Sequence, residues 1–145
     1  MTTIPPRNDL SHIPTLWGAR TFGSVKVEIN DRRRIADIQE SFRELFPYLT
    51  IGFFTHYKNP ENATPGNGVS GVRTLGQCRT IHSSGEMTVT PVMTVRDVEE
   101  VFRTRYGLHV KVFRQSGKAW LETSLTNDWT LEEQNREGEL LSAMK

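Results

Sequence analysis

The run Met93–Gln134, MTVRDVEEVFRTRYG-LHVKVFRQSGKAWLETS-LTNDWTLEEQ, passes from a helical hydrophobic period to a strand period and back to a helical start. Few architectures other than an α+β layer accept that order. Thr94 is placed as an N-cap with Asp97 three residues on, near the positive end of the helix dipole. Met93 and Val98 have the spacing of a hydrophobic staple. Val95, Val98, Val101, Phe102 and Tyr106 then form one helical face, and Gly107 has the place of a left-handed C-terminal residue. From Leu108 the period becomes two. Ser116-Gly117 as a two-residue turn predicts a hairpin in which Val112 faces Leu121, Val110 faces Thr123, Phe113 faces Trp120 and Lys111 faces Glu122. Thr130 with Glu133 forms a capping box for a last helix, carrying Leu131, Leu140, Leu141 and Met144 and interrupted at Gly138.

Upstream, Ser24–Ile29 alternates as a strand. Ile35, Ile38, Phe42, Leu45 and Phe46 line a helix that Pro47 stops. Leu49–His56, Leu75–Ile81 and Glu86–Thr90 read as strands, and the Asn/Pro/Gly-rich stretch 59–71 as a long loop. Ile35–Phe46 aligns without a gap to Val95–Tyr106, with Asp37, Glu40, Phe42 and Arg43 recurring as Asp97, Glu100, Phe102 and Arg103. With one extra residue allowed, Leu49, Ile51 and Phe54 fall on Leu108, Val110 and Phe113. The expected fold is therefore α+β: a single mixed or antiparallel sheet of about six strands, built from two β-α-β-β units, with helices mainly on one face and an extra C-terminal helix. An N-terminal arm, 1–23, precedes a single domain, 24–145, whose repeated halves are about 24–83 and 86–145.

The net charge of +1 supplies no field that would draw the whole chain to nucleic acid or a membrane surface. No apolar run approaches the length of a membrane span, MTTIPPRNDL lacks a signal-peptide core, and the single Cys78 has no partner for an internal disulfide. A cytoplasmic setting is the expectation.

Motifs for chemistry are weak. Gly66–Gly71 matches G-x-G-x-x-G, but a Pro/Asn loop precedes it and no helix signal follows, so it reads as a loop in which a methyl at Gly68 is harmless. Asn62-Ala63-Thr64 matches a glycosylation pattern by chance. Arg32-Arg33-Arg34 opposes the helix dipole and hints at an anionic partner. His12, His56, His82 and His109 show no metal-ligand spacing. His82-Ser83-Ser84-Gly85-Glu86 has the side chains of an acid–base site but reads as a turn. No metal, cofactor or catalytic residue is expected.

The second face of the sheet carries Phe54, Phe113 and Trp120, beside Lys111, His109 and Arg114. Aromatic rings with basic neighbours serve as anchors for a protein partner or a second copy, and alternatively as a stacking platform for single-stranded nucleic acid. The expected role is a non-enzymatic protein-binding or self-association module. A nucleic-acid module and a small enzyme with a His/Ser-based site are the alternatives. The run Gly107–Gln134, VFRQSGKAWLETS followed by DWTLEEQN, resembles segments of small uncharacterised bacterial proteins. That resemblance implies no activity, cofactor or site.

Overall fold

The computed structural model describes residues 23–55 and 63–143. All but the last residue of the expected arm, together with His56 and Asn62, lies outside them. Among the described residues the strands are β1 (Val25–Ile29), β2 (Leu49–Phe54), β3 (Gly85–Val89), β4 (His109–Ser116) and β5 (Ala119–Glu122). The helices are α1 (Ile35–Leu45), α2 (Val95–Tyr106) and α3 (Leu131–Ala143). The class is α+β, but the strands form two small antiparallel sheets, β1-β3 and β2-β4-β5, instead of one sheet of six. The strand before α1 pairs with the strand before α2, and the strand after α1 with the strand after α2. Val27, Ile29, Met87 and Val89 of the first sheet, Leu49, Ile51, Phe53, Val110 and Val112 of the second, and the apolar faces of α1 and α2 close one core.

The expected strand Leu75–Ile81 is a 3₁₀ turn over Leu75–Cys78. The Gln77 side-chain carbonyl accepts from the Thr74 amide at 2.9 Å, which holds the chain in a helical turn. α1 begins against this turn, and α2 begins against the capped start of α3. Ile35 and Ala36 donate their amides to the Arg73 and Gly71 carbonyls, while Leu75 and Gly76 donate to Arg33 and Asp31. In the second half Val95 and Arg96 donate to Trp129 and Asn127, while Leu131 and Glu132 donate to Met93 and Pro91. The first amides of a helix have no partner within it; here another backbone segment supplies the acceptors. At α2 the side chains add to this. Thr94 Oγ1 accepts from the Asp97 amide at 3.0 Å and Asp97 Oδ2 accepts from the Thr94 amide at 3.2 Å. Thr130 and Glu133 make the same reciprocal pair. Gly107, at φ 65°, ends α2 as expected.

The hairpin forms with the expected faces but a different register. Phe113 faces Glu122, Arg114 faces Leu121 and Gln115 faces Trp120. The central turn residues are Gly117 and Lys118, with Gly117 at φ 63°. A Ser116-Gly117 turn of type I′ would have placed the left-handed conformation on a serine; the observed turn gives it to glycine. Phe113–Trp120 and Lys111–Glu122 become diagonal neighbours, still within reach of long side chains. Gly138 does not interrupt α3. A β-carbon there would sit 2.9 Å from Tyr48 Cβ and 3.2 Å from Arg114 Cγ, so its absence lets α3 lie close to the second sheet.

Candidate functional site

Alternation along β4 divides the expected site residues between two faces. His109, Lys111 and Phe113 point away from the helices, and β2 contributes Gly52 and Phe54 to the same side. Arg114 points the other way. Its guanidinium lies 5.6 Å from the Trp129 ring centroid, and its Nη1 donates to Gln134 Oε1 at 2.9 Å. It shares the parity of Val110 and Val112, which already place that face in the core. Arg114 is thus a support for α3 and not a neighbour of the aromatic rings.

Phe54, Phe113 and Ala63 form a second, smaller cluster with Trp120 packed against it. Phe113 is 0% exposed and Phe54 8% exposed. The expected rings are brought together, but two of them are closed within the chain and Trp120 alone of the three keeps surface in reach of a partner. What lies outermost is the β5 edge and the 3₁₀ turn Ser124–Thr126 after it. Leu121 is 40% exposed and Leu125 99% exposed. Hydrophobicity alone did not single out Leu125; the turn it occupies is short and its neighbours are polar.

Beside this edge is a polar cluster joining α2, β4 and the turn. Lys111 Nζ lies 3.2 Å from Glu122 Oε2 and donates to Ser124 Oγ at 3.2 Å. Ser124 donates to Glu122 from both its hydroxyl and its amide. Burial pushes the Glu122 carboxyl up, but the Ser124 and Lys111 donors outweigh it and hold the group below its ordinary value. Glu99, on α2, responds the other way. Burial raises it from 4.5 to about 6, against the attraction of Lys111 and a hydrogen bond from the Val112 amide. β5 pairs only with Phe113–Ser116 of β4. Beyond it, Thr123 Oγ1 donates to the Val112 carbonyl at 2.8 Å and Glu99 takes the Val112 amide. Side chains therefore finish the strand edge where the hairpin stops.

The expected His82/Ser83 turn is tied to the body of the protein. His82 Nδ1 lies 2.9 Å from Asp31 Oδ2. Arg79, whose side chain is 0% exposed, donates Nη2 to Asp31 Oδ1 at 2.8 Å and Nη1 to the Tyr106 carbonyl at 2.9 Å. Hydrogen bonds from His82 first, then Arg79, hold the Asp31 carboxyl below its ordinary value. Ser83 Oγ donates to the Arg105 carbonyl at 2.7 Å. An oriented imidazole could move a proton, but the hydroxyl is committed to a helix end and the carboxylate is shared with a buried guanidinium. This is the wiring of a clasp on the C-terminus of α2, where the helix dipole favours cations.

The G-x-G-x-x-G stretch folds against its own chain. Val69 donates to the Phe53 carbonyl at 2.7 Å, and a β-carbon on Gly68 would stand 2.8 Å from that same oxygen. The close approach that a dinucleotide site reserves for pyrophosphate is here occupied by β2, so a methyl at Gly68 is not harmless. Among the described residues no group of three or more His, Cys, Asp or Glu side chains is placed to hold a metal ion, and no helix is long and apolar enough to cross a membrane. A groove of 230 Å³ beside α3, lined by Trp129, Glu133, Arg136, Glu137 and Leu140, is below the size usual for a small-molecule pocket.

No family model matches the chain, and neither the curated proteins nor the solved structures yield a match to it.

Proposed function

We propose that this protein is a non-enzymatic interaction module that engages another polypeptide, a second copy of itself included, along β5 and the turn that follows. The observation that carries the reading is the exposure of Leu125, at 99%, next to the half-open Leu121 and Trp120 on a short edge strand. An edge strand offers backbone donors and acceptors to an added strand, and flanking apolar side chains supply the anchors. Phe113 and Phe54 act beneath it, holding Trp120 in place. Lys111 and Glu122, already paired, form a polar rim. The repeat of one strand-helix-strand unit belongs to the same proposal; the matching hydrogen bonds at the starts of α1 and α2 support it.

The test is the mass of the purified protein in solution with its 260/280 nm absorbance ratio, for wild type and for the paired variant Leu121→Lys, Leu125→Lys. Leu125 lies in solvent and Leu121 is half-open, and an unchanged thermal unfolding of the variant shows that its fold is kept. An oligomer or a co-purifying protein in wild type that disappears in the variant supports the reading. A bare monomer in both, or bound material absorbing at 260 nm, defeats it, and the second result points to the nucleic-acid alternative.

A further inference from the structure

A different observation, independent of the β5 edge, concerns how the two halves hold each other. The alignment that sets Ile35 on Val95 sets Val27 on Met87, and these two are Cα partners at the middle of the β1-β3 ladder. The alignment that sets Leu49 on Leu108 sets Gly52 on Lys111, and these are partners in the β2-β4 ladder. In both ladders matching residues thus face each other at or beside the midpoint, as happens when a two-fold axis passes through a symmetric dimer interface. The ties across the middle are reciprocal as well. Arg79, just after the Leu75–Cys78 turn, donates to the Tyr106 carbonyl at the end of α2. Asn135, which corresponds to Arg79 when Thr74 is set on Thr130, accepts from the Tyr48 amide just after α1 at 2.8 Å. Each half reaches over to the end of the other half's helix.

We propose that this internal interface is self-complementary and fits a second copy of the chain, so that two molecules can exchange halves. The first half, through Arg79, and the second, from Gly85, are joined by residues 80–84, of which His82 is tied to Asp31 and Ser83 to the Arg105 carbonyl. Each half is locked to its own turn by the paired hydrogen bonds at its helix start, and so remains a unit when exchanged. In the exchanged dimer β1 of one copy pairs with β3 of the other, and no new contact surface is required. That is the low-cost route to a dimer open to any chain whose two lobes meet through a symmetric interface.

The experiment uses two full-length variants, each in a Cys78→Ala background that removes the free thiol. Glu28 and Glu86 are exposed and directly opposite in the β1-β3 ladder. One chain carries Glu28→Cys and the other Glu86→Cys. Opposed residues in an antiparallel pair are spaced for a disulfide. Neither chain can close that bond within itself, so a disulfide between them reports exchange. The two are unfolded together in reductant, refolded over a range of concentrations and then oxidised. The expected result is a covalent species of twice the chain mass that grows with refolding concentration and is absent when the two are refolded apart and then mixed. Equal amounts of that species in both protocols, or none at any concentration, overturns the proposal. Lys26→Cys with Thr88→Cys, the adjacent exposed pair in the same ladder, repeats the test should the first pair fold poorly.

Discussion

Glu99→Gln should make the protein more stable at neutral pH, although it deletes a charge that sits near Lys111. The Glu99 carboxyl is pushed from 4.5 to about 6 by burial, and that displacement outweighs the attraction of Lys111 and the donated Val112 amide. A pKa held that far above its ordinary value corresponds to about 2 kcal/mol of difference between the two protonation states. The sign follows from proton linkage. The folded protein binds this proton more tightly than the unfolded chain, so the stabilisation is complete below pH 4.5 and is lost as the pH rises through about 6. Glutamine is neutral at every pH and keeps an oxygen that accepts from Val112. In the proposed repeat the position matching Glu99 is a glutamine, Gln39, whose Nε2 donates to the Ile51 carbonyl at 2.9 Å on the outer edge of β2. Urea unfolding of wild type and variant, at about pH 4 and about pH 8, measures the gap directly. The variant should match wild type at the lower pH and exceed it by about 1–2 kcal/mol at the higher, the range allowing for the solvent that still reaches this half-buried group. A variant that is less stable at the higher pH, or a gap that does not change with pH, would refute the argument, because the charge would then be contributing more through Lys111 than its burial costs.

Three further outcomes follow from the geometry. Gly68→Ala places a methyl against the Phe53 carbonyl and should lower stability by about 1–3 kcal/mol, read as a fall in Tm; an unchanged Tm would mean that the loop yields. Thr94→Ala removes one arm of the α2 capping box and should cost about 1 kcal/mol in urea unfolding, whereas Thr94→Ser should restore most of it. Asp31→Asn removes the negative charge that pairs with both Arg79 and His82, leaving a buried guanidinium without its counter-ion, and should lower Tm near neutral pH. In wild type the contribution of Asp31 is present above its ordinary value of 3.8 and is lost as the pH falls through its lower folded-state value, so the acid limb of stability should flatten in Asp31→Asn.

Much of the fold was legible wherever a local rule had a single outcome. The α2 cap, its left-handed end at Gly107 and the Thr130–Glu133 box depend on nearest neighbours and formed as read. The faces of the hairpin were legible for the same reason, since alternation fixes parity. Its register was not, because Ser116-Gly117 and Gly117-Lys118 both flank a glycine, and only the sign of φ at the first turn residue chooses between them. The turn at Leu75–Cys78 carries the same kind of signal as Thr130–Glu133, a threonine with Gln or Glu three residues on, and was hidden by apolar residues that also suit a strand. The number of sheets was out of reach for a different reason. Whether β1 pairs with β2 or with β3 depends on contacts between halves, and no local propensity carries that information. The site residues divide similarly: grouping Phe54, Phe113 and Trp120 needed only alternation, while their exposure depended on what the rest of the chain places over them.

The proposed repeat also separates the residues that the fold requires from those it does not. Leu75 and Leu131 are both fully buried, and Arg79 and Asn135 both tie down the opposite helix end. Positions that match in this way are accounted for by the architecture. The mismatches are more informative. Asp31, which takes His82 and Arg79, matches Pro91 in the proposed repeat, so the same clasp cannot form there. Glu99 replaces the neutral side chain that serves at Gln39 and carries a charge at a buried edge that the symmetric solution avoids. That charge adjoins Lys111, Glu122 and Ser124, the same cluster that borders Trp120, Leu121 and Leu125. Burying a carboxylate where an amide would serve works against stability, and selection for stability alone would not keep it. On the proposed repeat the second half differs from the first beside the surface proposed to meet a partner, and the pH dependence of that association should follow Glu99. Binding measured across about pH 5 to 7 in wild type and in Glu99→Gln would decide it: a pH response present in the first and lost in the second places the group at the interface, and parallel profiles remove it.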